Sequence, residues 1–176
     1  MPTSVPENRP RWRAATCTQE HGQRGVGLVD VLIALVVLSI GLLGLAGLQA
    51  KSLKFNHSAY LKSQATLQAY DMADRMRANM PGVTAGDYNA ISGIAAAPAN
   101  CTATNCNSGQ MAQFDAFQWN TDNRNLLPSG QGTVTRNGNA FTITVMWDDQ
   151  RTGATGTACS GNPKVDLTCF QTSFQP

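Results

Sequence analysis

Between Asp30 and Lys51 lie twenty residues, VLIALVVLSIGLLGLAGLQA, that contain neither a charge nor a proline. At 1.5 Å rise per residue such a run forms about 30 Å of helix, the thickness of the hydrocarbon core of a bilayer. A helix this apolar on every side can instead be the core of a large soluble domain. The roughly 95 residues that follow the helical region are too few to cover it that way. The run therefore predicts a membrane-spanning helix. Arg9, Arg11, Arg13 and Arg24 precede it, and the excess of positive charge on the cytoplasmic side places the N-terminal segment inside and the remainder outside the cytoplasm.

After Ala50 the apolar character narrows to one face. The stretch KSLKFNHSAYLKSQATLQAYDMADRMRANM, Lys51 to Met80, still lacks glycine and proline, and Leu61, Ala65, Ala69, Met72 and Met76 recur at helical spacing. It reads as an amphipathic continuation of the same helix, weakly supported by Asp71 and Arg75 at i and i+4. Pro81 and Gly82 are expected to end it. The expected organisation is a leader over residues 1–25, an apolar half-helix over 26–50, an amphipathic half-helix over 51–80, and a globular domain over 81–176.

Met1 to Gly25 carries Pro2, Pro6 and Pro10 among scattered polar residues, a composition that neither forms a helix nor buries a core. A secretory signal peptide would end its short apolar stretch at a small-residue cleavage site; here the apolar stretch follows the basic leader and runs much too far. The leader's four arginines against Glu7 and Glu20 account for the whole formal charge of +2. Beyond Gly25 the nine basic and nine acidic side chains cancel. A neutral body with dispersed lysines and arginines lacks the footprint of a nucleic-acid binder.

Of the five cysteines, Cys17 lies in the leader and Cys101, Cys106, Cys159 and Cys169 lie beyond the apolar run. In an oxidising compartment those four form pairs. Three connectivities are open, and the local spacings favour Cys101 with Cys106 and Cys159 with Cys169. The same spacings, with no histidine nearby, suit a zinc site poorly.

In the distal part, Val83 to Gly109 reads as an irregular connection, and Met111 to Leu127 as a short second helix whose aromatic residues Phe114, Phe117 and Trp119 supply core and which Leu126, Leu127 and Pro128 close. GTVTR, then Asn137 and Gly138, then NAFTITVMW form two alternating runs around a turn, a hairpin signature. Val134, Phe141, Ile143, Val145 and Trp147 are its inward candidates. After a polar loop from Asp148 to Pro163, KVDLTCFQTSF adds a third antiparallel strand. The fold class is α+β: a long helix, first spanning and then amphipathic, packed on a small antiparallel sheet.

Catalytic constellations are not evident. His57, the one histidine outside the leader, has no obvious partner, and GxSxG, phosphate-loop and metal motifs are absent from the sequence, so no cofactor or metal is expected. Asp148 and Asp149 read as the start of a solvated loop rather than a paired-carboxylate site. Two features of the long helix do carry meaning. Asp30 puts a carboxylate near the start of a membrane helix, which is costly without a partner, although the positive end of the helix dipole also favours it. Gly41, Gly44 and Gly47, spaced by three, permit close approach of another helix and weaken their own by about 1 kcal/mol each relative to alanine.

The stretch QRGVGLVDVLIALVVLSIGLLGLAGLQA resembles the leader boundary and N-terminal helix of type IV pilins and of the pseudopilins of type II secretion. Continued through Gly82 it is similar to the PilV family of minor pilins. The resemblance implies that a prepilin peptidase cuts after Gly25 and that Val26 becomes an N-methylated N-terminus. It implies that Asp30, standing where the family has glutamate, pairs with the α-amino group of a neighbouring subunit. It also implies that Gly41 to Gly47 is a joint that loosens during assembly. The partners so implied are other minor pilins, the major pilin, the prepilin peptidase, the inner membrane before assembly, and a tip adhesin. The function implied is initiation or capping of the filament, with the chain first in the inner membrane and then at or near the filament tip. A type II secretion pseudopilin is the nearest competing reading. A membrane-anchored extracytoplasmic enzyme or binding domain is the competitor from another class, and it requires a polar site.

Overall fold

The computed structural model of the chain describes Gly25, residues 27–94 and residues 98–176. The leader up to Arg24 and the expected new N-terminus Val26 lie outside the described residues. The chain divides into two compact units, one through Ala46 and one from Gly47 to Pro176. In the first unit the described structure is the beginning of helix α1, which as a whole runs from Leu28 to Ala78. Asp30 stands in its first turn and Arg75 and Arg77 in its last, each at the end where the helix dipole favours its charge.

In the second unit α1 is followed by α2 (Met80–Ala85), β1 (Ala90–Ser92), α3 (Ser108–Leu126), β2 (Gln131–Asn137), β3 (Ala140–Trp147) and β4 (Thr168–Phe174). The strands form one antiparallel sheet in the order β1-β2-β3-β4, so the sheet has four strands where the sequence predicts three. The additional strand, β1, lies inside the connection read as irregular and buries only Ile91.

Pro81 and Gly82 do not end the helical path. The break falls at Asn79, whose backbone leaves helical geometry and whose side chain accepts from the Gly82 N–H as the N-cap of α2. Pro81 then occupies the first turn of α2, where its missing N–H costs nothing. The β2–β3 turn also sits one residue later than the sequence suggests. Asn137 pairs with Ala140, leaving Gly138 and Asn139 as the loop, with Gly138 at φ 62°, as a two-residue hairpin with glycine first requires. Helix α3 begins at Ser108, fixed by a capping box between Asn107 and Gln110, which satisfies two otherwise unpaired N–H groups.

The core forms between the amphipathic half of α1, α3 and one face of the sheet. Leu61, Ala65, Ala69, Met72 and Met76 are all buried, together with Val134, Phe141, Ile143, Val145, Trp147 and Phe174. The register sets Val134 opposite Ile143 and Gly132 opposite Val145, so Gly132 lies in the inward row without a side chain. Trp119 of α3 fills that space: a Cβ on Gly132 would stand 2.2 Å from its ring. The indole Nε1–H donates to the Gln68 carbonyl of α1 at 2.8 Å, joining the two helices.

Candidate functional site

Every large apolar residue of α1 from Leu28 to Leu48, the stretch that fills the first unit and just enters the second, is exposed, Leu43 to 73%, and the helix is long and apolar enough to cross a membrane. Burial of such surface is the main source of association energy, so this stretch is the strongest candidate for a functional surface. At its start, Asp30 Oδ2 accepts the Gly27 N–H at 3.2 Å. That is half of a capping box, with glycine unable to reciprocate, and it gives Asp30 a local role in addition to its favourable place at the positive end of the helix dipole. Gly41, Gly44 and Gly47 are all helical, with no atom within 4 Å of where a Cβ would stand. Their replacement by alanine therefore fits this chain and stiffens α1. If the glycines form a joint, the triple alanine variant is expected to be processed normally and recovered from filaments in reduced amount; unreduced recovery in an immunoblot of sheared filaments contradicts the joint.

The second unit is organised by carboxylates. Asp115, buried on α3, accepts from the Tyr88 hydroxyl at 2.6 Å and from Arg75 at 3.4 Å. Arg75 also donates to Asp71 at 2.7 Å and to Gln118 at 2.7 Å. Asn79 donates to the Tyr88 oxygen and to the Ser108 carbonyl. The Asp71–Arg75 pair expected as a local helix contact is thus one edge of a network joining α1, α2 and α3. Burial, and then the hydrogen bond to Asp115, push the Tyr88 phenol well above its usual range. Burial works against the charged Arg75, but the bond and charge of Asp71, with help from Asp115, raise its pKa overall. The groups bond to one another and hold the helices together.

Asp148 and Asp149 begin an exposed loop, as expected, but their own carboxylates are engaged within the chain. Asp148 is buried, and its carboxylate accepts the N–H groups of Thr152 at 3.0 Å and Gly153 at 2.8 Å. Asp149 accepts from Ser58 of α1 at 2.8 Å and from the Trp147 indole at 3.2 Å. Burial alone would raise the Asp148 pKa, but the N–H groups of Gly153 and Thr152 outweigh it and hold the carboxyl below its ordinary value. Because the folded pKa is depressed, this stabilisation is complete above the ordinary aspartate value near 3.9 and is lost as pH falls through the lower folded value. The amide shifts of Thr152 and Gly153 in an NMR titration should therefore move at a pH below that ordinary value; movement at or above it contradicts the assignment.

Cys101 is bonded to Cys106 and Cys159 to Cys169, the pairings that local spacing favours. The second ties the loop after β3 to β4 beside Met146, its register partner, which is thereby buried on the outer face of the sheet. His57 is exposed, and no metal-binding cluster occurs among the described residues.

Residues 47–117 match the family described as Tt1218-like, type IV pilin Tt1218. The matched stretch begins in α1, includes its amphipathic part, α2 and β1, and ends within α3. No curated protein and no solved structure gives a significant match. The match supports a pilin role. The apolar N-terminal half of α1 is consistent with it.

Proposed function

Taking the type IV pilin match over residues 47–117 as the premise, we propose that the chain is a minor pilin of the PilV type, incorporated through α1 and acting at the start of filament assembly. The observation that carries this reading is the wholly uncovered apolar half of a helix whose other half seats a folded domain. Before assembly the bilayer covers that surface; in the filament, the helices of other minor pilins and of the major pilin do. In this scheme a prepilin peptidase cuts after Gly25 and methylates Val26. One oxygen of Asp30 keeps the Gly27 N–H while the other takes the α-amino group of a neighbour. Aspartate is one methylene shorter than glutamate and carries the same charge, so the pairing needs a closer approach. A position at the tip, contact with an adhesin there, and consequences for motility or adhesion follow from a role in initiation. The type IV match favours the pilus over a type II secretion pseudopilin.

The test is recovery. Shearing filaments from cells and probing for this chain should find it with the filaments in amounts far below the major subunit, and deleting it should lower the filament yield. A chain that stays wholly with the membrane, and whose loss leaves the yield unchanged, would contradict the proposal and favour an anchored extracytoplasmic domain.

A further inference from the structure

Basic residues that are scattered in sequence converge at one end of the second unit. Among its described residues the ion pairs are made by Arg75 and Arg77. Lys51, Lys54, Arg124 and Arg151 make none and are exposed. Lys51 and Lys54 share a cleft with Phe55, Ser58, Asp149 and Gln150. On the adjoining turn of α1, His57 and Tyr60 share a second cleft with Arg124, Leu126 and Arg151. Consecutive residues line the two clefts, His57 and Ser58 on the helix and Gln150 and Arg151 on the loop. The carboxylates of that loop are occupied: Asp148 holds the Thr152 and Gly153 N–H groups, and Asp149 holds Ser58 and Trp147. Large apolar side chains that line the same clefts stand exposed, namely Phe55 at 62%, Tyr60 at 56% and Leu126 at 45%.

The position of this cluster in the chain identifies its partner. The uncharged run ends at Ala50, and Lys51 is the next residue of the same helix. From Lys51 to His57 the helix rises about 9 Å, on the order of the depth of one headgroup layer. Lysine stems beside aromatic rings are the chemistry of a membrane interface, where the stem and ring stay in apolar surroundings and the charge reaches water or phosphate. Each basic group near an anionic surface adds to the attraction, which is screened within a Debye length as salt rises.

We infer that this basic and aromatic foot seats the domain on anionic lipid headgroups of the extracytoplasmic leaflet while the chain waits in the membrane. The inference rests on the membrane reading of the apolar helix. The foot sets the domain against the bilayer surface, and departure into a filament has to break those contacts.

The full chain is reconstituted into vesicles of phosphatidylcholine alone or of phosphatidylcholine mixed with phosphatidylglycerol. Co-flotation tests the membrane reading separately, because insertion depends on the apolar helix. In chain that floats, hydrogen exchange at residues 124–130 and 149–152 should be several-fold slower in the phosphatidylglycerol vesicles. The difference should vanish at high salt and in the K51Q/K54Q/R124Q/R151Q variant, which should still float. Equal exchange in the two vesicle types, or a difference that survives the fourfold substitution, overturns the foot and leaves the membrane reading standing. Chain that does not float with either vesicle overturns both.

Discussion

Trp119→Ala is expected to cost about 3–5 kcal/mol, the range for removing a large buried aromatic side chain, and so to consume a large part of the 5–15 kcal/mol typical of a domain. The ring is fully buried, occupies the inward slot left open by Gly132, and donates to the Gln68 carbonyl. Its loss removes packing between α3 and the sheet and the polar link to α1 together. Trp119→Phe separates the two terms. It keeps much of the ring but forfeits the hydrogen bond, worth about 1 kcal/mol net, plus a smaller packing loss. The reciprocal substitution, Gly132→Ala, pushes a methyl into the ring and should cost about 1–3 kcal/mol as overpacking. Guanidinium unfolding followed by near-ultraviolet circular dichroism should show a large fall in midpoint for Trp119→Ala at unchanged slope. A midpoint close to that of the parent would mean that α3 does not hold the sheet in the way described.

Gly25→Leu is expected to leave the chain at its uncleaved mass and nearly absent from filaments. Gly25 is exposed, precedes the helix, and has no atom within 4 Å of a Cβ position, so the larger side chain disturbs nothing in this chain. Any effect must therefore arise where another protein handles the Gly25–Val26 bond. Immunoblots of membrane and sheared-filament fractions read both outcomes at once. Normal trimming and normal recovery of Gly25→Leu would remove the proposed processing site.

The features most legible in the sequence were those written in periodicity. The helical spacing of Leu61, Ala65, Ala69, Met72 and Met76 identified the buried stripe, because a helix covered on one side must repeat its apolar residues near every third or fourth position. Alternation from Val134 to Trp147 identified the hairpin in the same way. β1 was not legible, since three residues with one buried side chain carry no period; its pairing with β2 is set by tertiary contact. The Asp115 network was hidden for a related reason. Tyr88 and Asp115 lie 27 positions apart, and nothing local marks either as the other's partner. Asp148 misled because an aspartate after a strand normally meets water, whereas here the loop folds its own N–H groups onto it. The proposed basic foot is not legible in the sequence because Arg124 and Arg151 come to line one cleft with His57 only after folding. Asp30 is a different case, because the partner proposed for it belongs to another subunit.

The central claim is that this chain is processed at Gly25 and enters a filament through the helix that follows. Mass spectrometry of the chain recovered from purified filaments tests it most directly. The expected result is an N-terminal peptide beginning at methylated Val26 and no peptides from Met1 to Gly25. A chain that retains its leader and is found only in the membrane fraction would contradict it.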